Sequence, residues 1–241
     1  MQWERPQLPN IPVGDSVSDV EAAAGMVSAS FNGEPTAIAT SPVHLDDWTL
    51  SHTMPAGAGP VPSEHIVLQG KVGWLVEVDR TVLGGARLID GAWVPWNPPC
   101  SQAEGPALLA ASDPTHLVAV CHEGLYTSGT PVVNAYFSSD GGSTFQPAAT
   151  SPPSFPPDDT GIASPAPDVV IMGGNAGDLI GTFDGGTTWT VVHHQPDSAS
   201  WLQVGFTTST QGVAIDESGN LLMTFDGGHD WIPVDFSAVQ Q

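Results

Sequence analysis

The chain has 241 residues and carries 26 Asp and Glu against 4 Lys and Arg, a formal net charge of -22. Its whole basic set is Arg5, Lys71, Arg80 and Arg87, and so acidic a surface repels phosphate backbones and anionic headgroups, which argues against nucleic acid and direct membrane insertion as partners. Glycine (27) and proline (23) are abundant, yet 40% of residues are hydrophobic, so the chain reads as turn-rich rather than disordered, with the length for one large all-β domain or two small ones.

At the N-terminus, no run approaches the roughly 18 apolar residues of a membrane span. "QWERPQL", from Gln2 to Leu8, reads as an isolated strand around Trp3. Met1 followed directly by this stretch reads as the start that remains after a leader is removed, and so predicts an extracellular, periplasmic or cell-surface protein. "DVEAAAGMVSA", Asp19 to Ala29, is the nearest approach to a helix, but Gly25 interrupts it. "SPVHLDDWTL" follows, with Trp48 closing a turn. The next stretch splits into four strand-length runs, "HIVLQG", "VGWLVEV", "GARLI" and "AWVPW", the last holding Trp93. "FSSDGGSTF", "GTFDGGTTW" and "MTFDGGHDW" then repeat one Asp-Gly-Gly turn closed by Phe145, Trp189 and Trp231. In the last unit "WLQVGF", "QGVAID", "NLLMTF" and "WIPVDF" are again four short runs parted by turn residues.

The closing aromatics fix the period. Trp189 to Trp231 is 42 residues and Phe145 to Trp189 is 44; Trp93 stands 52 before Phe145, and Trp48 stands 45 before Trp93. A period in the low forties with four strands per unit predicts blades of a β-propeller, with the turn joining the third and fourth strands. A Ser or Thr lies seven residues ahead of the aromatic in four units (Ser41, Ser138, Thr182, Thr224), and Ala86 holds that place in the second. The aromatic is expected to pack on a neighbouring blade, since one blade cannot cover both its faces. The length predicts a single domain, 1–241, of five blades ending near Trp48, Trp93, Phe145, Trp189 and Trp231. Trp3, 45 residues before Trp48, leaves six blades as the alternative, with the N-terminal strand completing the ring.

The pattern Ser/Thr-x-Asp-x-Gly-x-Thr-Trp resembles the Asp-box, or bacterial neuraminidase repeat. Ser138, Asp140, Gly142, Thr144 and Phe145 match it with Phe for Trp; Thr182, Asp184, Gly186, Thr188 and Trp189 match it closely; Thr224, Asp226, Gly228 and Trp231 match, with Asp230 where Thr is usual. The first unit has Val43 in place of the Asp, and the second has Ile89 and Asp90 out of step. The resemblance extends to secreted sialidase-like proteins of actinobacteria, with a cysteine ahead of one blade and another on its second strand. The last blade also resembles the propellers of photosystem assembly factors. In this family the box is structural and lies away from the ligand face.

Sialidase chemistry is not expected. It needs an arginine triad, and the three arginines here include two, Arg80 and Arg87, in one blade; the family's Arg-Ile-Pro motif is missing as well. The face opposite the box turns would carry "DRTVLGG" (Asp79 to Gly85), "HEGLYTSGTPVVN" (His122 to Asn134), "GNAGD" (Gly174 to Asp178), "DESGN" (Asp216 to Asn220) and the proline-rich links between blades. Stiff loops lose little entropy on binding, so the candidate ligand-binding residues are Asp79, Arg80, Glu123, Tyr126, Asn175, Asp178, Asp216 and Trp201. Cys100 and Cys121 map to that face, close together, and predict a disulfide in an oxidising compartment; two thiols with only His122 beside them do not make a zinc site. His193 and His194, adjacent on a strand, point to opposite faces and chelate poorly. Asp46-Asp47 and Asp158-Asp159 do not have EF-hand spacing. No phosphate-binding glycine loop or nucleophile elbow is present, and no cofactor or metal is expected. These features predict a secreted, non-catalytic propeller binding a protein or a glycan through its loop face. The alternative is a glycoside hydrolase or lyase built on carboxylates such as Asp79, Glu123, Asp178 and Asp216.

Overall fold

A computed structural model describes residues 16–32, 37–53, 63–79, 81–100, 107–123, 132–153, 161–196 and 199–235. Trp3, Arg5, Arg80, Tyr126, Asp158 and Asp159 lie outside the described residues. Among the described residues the chain forms five four-stranded antiparallel sheets, each ordered as in the sequence, and no α-helix. This is the five-bladed β-propeller architecture expected from the repeat.

Blade 1 comprises β1 (Ser16–Ala23), β2 (Met26–Asn32), β3 (Ala37–Pro42) and β4 (Thr49–Thr53). Blade 2 comprises β5 (Ser63–Gln69), β6 (Val72–Asp79), β7 (Thr81–Ile89) and β8 (Ala92–Trp96). Blade 3 comprises β9 (Ala107–Ala111), β10 (Leu117–Glu123), β11 (Val132–Ser138) and β12 (Gln146–Pro147). Blade 4 comprises β13 (Ile162–Ala166), β14 (Val169–Gly173), β15 (Asp178–Thr182) and β16 (Thr190–His194). Blade 5 comprises β17 (Trp201–Phe206), β18 (Gly212–Asp216), β19 (Leu221–Thr224) and β20 (Ile232–Pro233). The chain divides into two compact units, residues 1–109 and 110–241.

In the first unit the stretch around Gly25 is a hairpin, β1–β2, turning at Ala24 and Gly25, both at positive φ. Ile38 of blade 1 packs against Ile66, Leu75, Ala86 and Trp93 of blade 2. Trp93, the closing aromatic of blade 2, is thereby part of a cluster that reaches into the preceding blade, and it lies over Gly73 of its own. Its turn is not a box, however. β7 and β8 stay paired to Ile89↔Ala92 and are joined by Asp90-Gly91 alone, at φ 50 and 81. A two-residue hairpin of this kind follows strand twist and leaves no loop for a carboxylate to organise. The stretch from Asp79 to Gly85, expected as a loop, is largely strand, because Val78 already pairs with Val82 and Gly85 with Val76. Glycine at 85 serves packing: a Cβ there would lie 2.7 Å from the Leu75 carbonyl oxygen.

One polar contact ties the first strands of this unit together. The His65 ring presents Nδ1 to Asp19 Oδ2 at 3.3 Å and Nε2 to the Leu109 carbonyl oxygen at 3.1 Å. Asp19 Oδ2 also accepts the Ile66 amide at 2.7 Å. Both partners of the imidazole are acceptors, so the protonated ring, which donates from both nitrogens, is the form that satisfies both. Burial opposes that charge, but the hydrogen bond and attraction from Asp19, the Leu109 carbonyl and Glu21 outweigh it and raise the His65 pKa.

In the second unit the three Asp-Gly-Gly hairpins share one hydrogen-bond scheme. The Thr182 hydroxyl donates to Asp184 Oδ1 (2.9 Å) and accepts the Gly186 amide (2.9 Å). Asp184 Oδ1 also accepts the Thr188 amide, and Oδ2 the Thr188 hydroxyl. Ser138 and Asp140 repeat this with Gly142 and Thr144. Thr224 and Asp226 repeat it with Gly228, but Asp230 supplies only its amide. The hairpin amides hold the carboxylates ionised: the backbone and side chain of Thr144, then Ser138, bring Asp140 from 3.8 to about 2. Asp184 is lowered chiefly by the Thr188 amide and Asp226 by the Asp230 amide.

The second glycine of the hairpins in blades 4 and 5 has two tasks. Gly186 and Gly228 sit at φ 78 and 96, where side chains are strained. They also receive the preceding blade. A Cβ on Gly186 would meet Ala148 Cβ at 2.6 Å and Phe137 at 3.0 Å, and one on Gly228 would meet Ile171 at 2.8 Å. The closing aromatics complete the contact. Trp231 joins Ile171, Leu179, Trp201 and Leu222 in one cluster, and Trp189 Nε1 donates to the Thr150 carbonyl of the segment after blade 3. Cys100 and Cys121, the chain's two cysteines, are disulfide-bonded and buried.

Candidate functional site

At the ends of blades 4 and 5 opposite the acidic hairpins, four of the sequence-predicted residues come together: Asn175, Asp178, Trp201 and Asp216. β14 leaves through a single 3-10 turn, Asn175–Gly177, with Ala176 in the left-handed region at φ 56. The Gly177 carbonyl accepts two donors, the Gln195 amide at 2.8 Å and the Trp201 indole Nε1 at 3.0 Å. Trp201 is thereby buried, 1% exposed, and is a pillar under the loops rather than a surface aromatic. The His193 ring meets it edge-on, 5.9 Å between centroids.

Asp178 and His194 are register partners on β15 and β16, and Asp178 Oδ1 lies 2.6 Å from His194 Nδ1. The bond turns Nε2 of the largely exposed imidazole outward. Asp216 is 1% exposed and fully engaged. Its Oδ1 accepts the Ser218 and Asn220 amides, and its Oδ2 the side-chain amides of Asn220 and Gln195. That last bond, at 3.1 Å, links the blades. Ser200 and Glu217 add a reciprocal pair: the Glu217 amide donates to the Ser200 carbonyl, and the Ser200 amide to Glu217 Oε1. Asn175, Ala176, His194 and Glu217 are the exposed groups of this shelf.

The remaining predicted residues are placed by backbone alone or not described. Asp79 ends β6 and Glu123 ends β10, both at the loop side of their strands. Arg80 and Tyr126 are outside the described residues. Among the described residues no cluster of three or more His, Cys, Asp or Glu could hold a metal ion, and no helix is long and apolar enough to cross a membrane. Gln195, Ser200 and Glu217 fall within loops expected on this face but are not among the candidate ligand residues. The only signal for them is their position, one or two residues outside the strand ends that meet at the blade junction.

No protein-family model matches the chain, and no curated protein matches it in sequence. Solved structures do match, and they are β-propellers. The Aleuria aurantia lectin, in complex with Fucα1-6GlcNAc, aligns over 93% of this chain and 79% of its own at 11% identity, TM-score 0.59. A further structure of that lectin is described as a six-bladed β-propeller with a novel fucose recognition mode. YCF48 bound to D1 peptide aligns over 91% of this chain and 67% of its own at 20% identity, TM-score 0.60. At these identities the likeness shows the fold alone.

Proposed function

We propose that this chain is a non-catalytic recognition propeller of the Asp-box type, working in an oxidising, extracytoplasmic compartment and binding a protein or glycan partner on its loop face. The carrying observation is the shelf at blades 4 and 5. Its two candidate acids, Asp178 and Asp216, are both occupied, one by His194 and the other by four donors. Carboxylates tied in this way order loops; a glycosidase needs one acid and one base or nucleophile facing the scissile bond. Pre-ordered loops lower the entropic cost of association. The acidic surface favours a cationic protein segment. The three matching hairpins support the Asp-box reading, and the disulfide supports the compartment. Both fucose-lectin and peptide-bound propellers among the structural neighbours are compatible with recognition on this scaffold.

The test runs the native chain and a His194→Ala/Glu217→Gln double variant over arrays of glycans and cationic peptides, beside a panel of chromogenic glycosides. The expected result is array binding that the double variant weakens about tenfold or more, with no glycoside turnover. Turnover by the native chain would establish the hydrolase alternative instead.

A further inference from the structure

The hairpin side of the second unit carries a different kind of site. A pocket of about 330 Å³ opens between blades 3 and 4, at the opposite strand ends from the shelf. That is the small end of the range for small-molecule sites. Its polar lining includes Ser112, His116, Ser139, Gln146 and Asp168, with the partly buried Phe137 as an apolar wall.

Three features make this a built site. The first is His116, whose Nδ1 is held 2.8 Å from Asp113 Oδ2 while Asp113 Oδ1 takes the Thr115 and His116 amides. The ring is oriented, and Nε2 is left for another partner. The second is Ser112, whose Oγ is cut off from solvent and has no hydrogen-bond partner although it lines the pocket. A buried hydroxyl in that state costs stability unless something in the cavity satisfies it. The third is the mixture of capacities. Ser139 and Gln146 have no protein partner for their side chains among the described residues, and Asp168 holds its carboxylate at a tight turn with φ 65. Gln146 is the register partner of Phe137, so amide and ring stand on the same face of blade 3.

Hydroxyl, amide, imidazole and carboxylate groups together both donate and accept at short range. That suits a ligand dense in hydroxyls with one apolar face to lay on Phe137. No lysine or arginine lines the pocket, and the one imidazole is already paired to a carboxylate. Asp168 adds a negative charge, so phosphates and carboxylates are disfavoured. We propose that this pocket between blades 3 and 4 is a binding site for a neutral monosaccharide, or for the terminal neutral sugar of a glycan. His116, Ser139, Gln146 and Asp168 hydrogen-bond its hydroxyls, and Ser112 stands behind them in the wall. The site is independent of any partner on the loop shelf.

Saturation-transfer NMR and calorimetric titration of the full chain test it. The probes are methyl α-D-mannoside, methyl α-D-galactoside, methyl α-L-fucoside and methyl β-D-glucoside, with N-acetylneuraminic acid as the charged comparator. At least one neutral glycoside is expected to bind, and N-acetylneuraminic acid is not. Gln146→Ala and Ser139→Ala, both at exposed positions that leave the fold intact, are each expected to weaken binding about fivefold, the loss of a hydrogen bond. Silence across all four neutral glycosides would overturn the proposal. So would preference for the acid sugar, or binding indifferent to both substitutions. Because Gln146 and Ser139 line only this pocket, the variants separate it from the loop face, whose reading is tested by the His194→Ala/Glu217→Gln variant.

Discussion

The third-to-fourth-strand turns of the two units solve the same problem differently. In the second unit a carboxylate and a hydroxyl knit each turn from inside, and a glycine at positive φ admits the blade before it. In the first unit Val43 replaces the acid of blade 1, and the Ser41 hydroxyl donates instead to the Leu45 carbonyl at 2.8 Å. Blade 2 dispenses with the loop, and a Cβ on its Gly91 would meet nothing within 4 Å. The hairpin is therefore not needed to turn a blade. Its particular contribution is to join an ordered turn to a close contact between blades.

That difference predicts unequal responses to one methyl group. Gly186→Ala adds strain at positive φ and a collision with Ala148 Cβ, which cannot rotate away, and should cost about 3 kcal/mol. Gly91→Ala meets only the backbone strain and should cost about 1 kcal/mol. Urea unfolding of the two variants measures the contrast, and equal losses would break it.

Acid should also separate the units. The carboxylates of Asp140, Asp184 and Asp226 titrate below their unfolded values. The stability they contribute is present above pH 3.8 and is lost as pH falls toward about 2, the value for Asp140. Amide exchange at Gly142, Gly186 and Gly228 should therefore accelerate across that window, while the turn at Asp90-Gly91 stays unchanged. The smallest effect is a gain. Asp230→Thr restores the side-chain donor that blade 5 lacks, and should raise stability by about 0.5–1 kcal/mol in thermal melts.

How much was legible in the sequence follows from where the physics is local. The second-unit hairpins could be read because Thr182, Asp184, Gly186 and Thr188 satisfy one another within seven residues. Trp93 marks the end of blade 2 and shares a cluster with Ile38 of blade 1, but the turn before it is no displaced box. Asp90-Gly91 is a complete hairpin signal by itself and needs no acid aligned with the other turns. The shelf was legible only in outline. Asp178 and Asp216 were picked as ligand groups because they are acids near loops. Asp178 is engaged by His194, 16 residues away, next to a register shift in β15–β16 that no periodicity reveals; Asp216 takes three of its four donors from Ser218 and Asn220 close by, and only the link to the other blade comes from Gln195, 21 residues away. Trp201 looked like a surface aromatic because it begins a strand after a polar link, yet its indole turns inward to Gly177. The pocket between blades 3 and 4 is not legible in the sequence, since its lining comes from six separate segments.

The imidazole between Asp19 and Leu109 makes the strand contacts of the first unit responsive to the loss of one proton. It works as a removable pin. Without its proton the ring can donate to Asp19 or to the Leu109 carbonyl but not to both. The Ile66 amide keeps Asp19 tied to the first strand of blade 2, so the tie to Leu109 is the one expected to loosen as pH rises through the raised pKa of the ring.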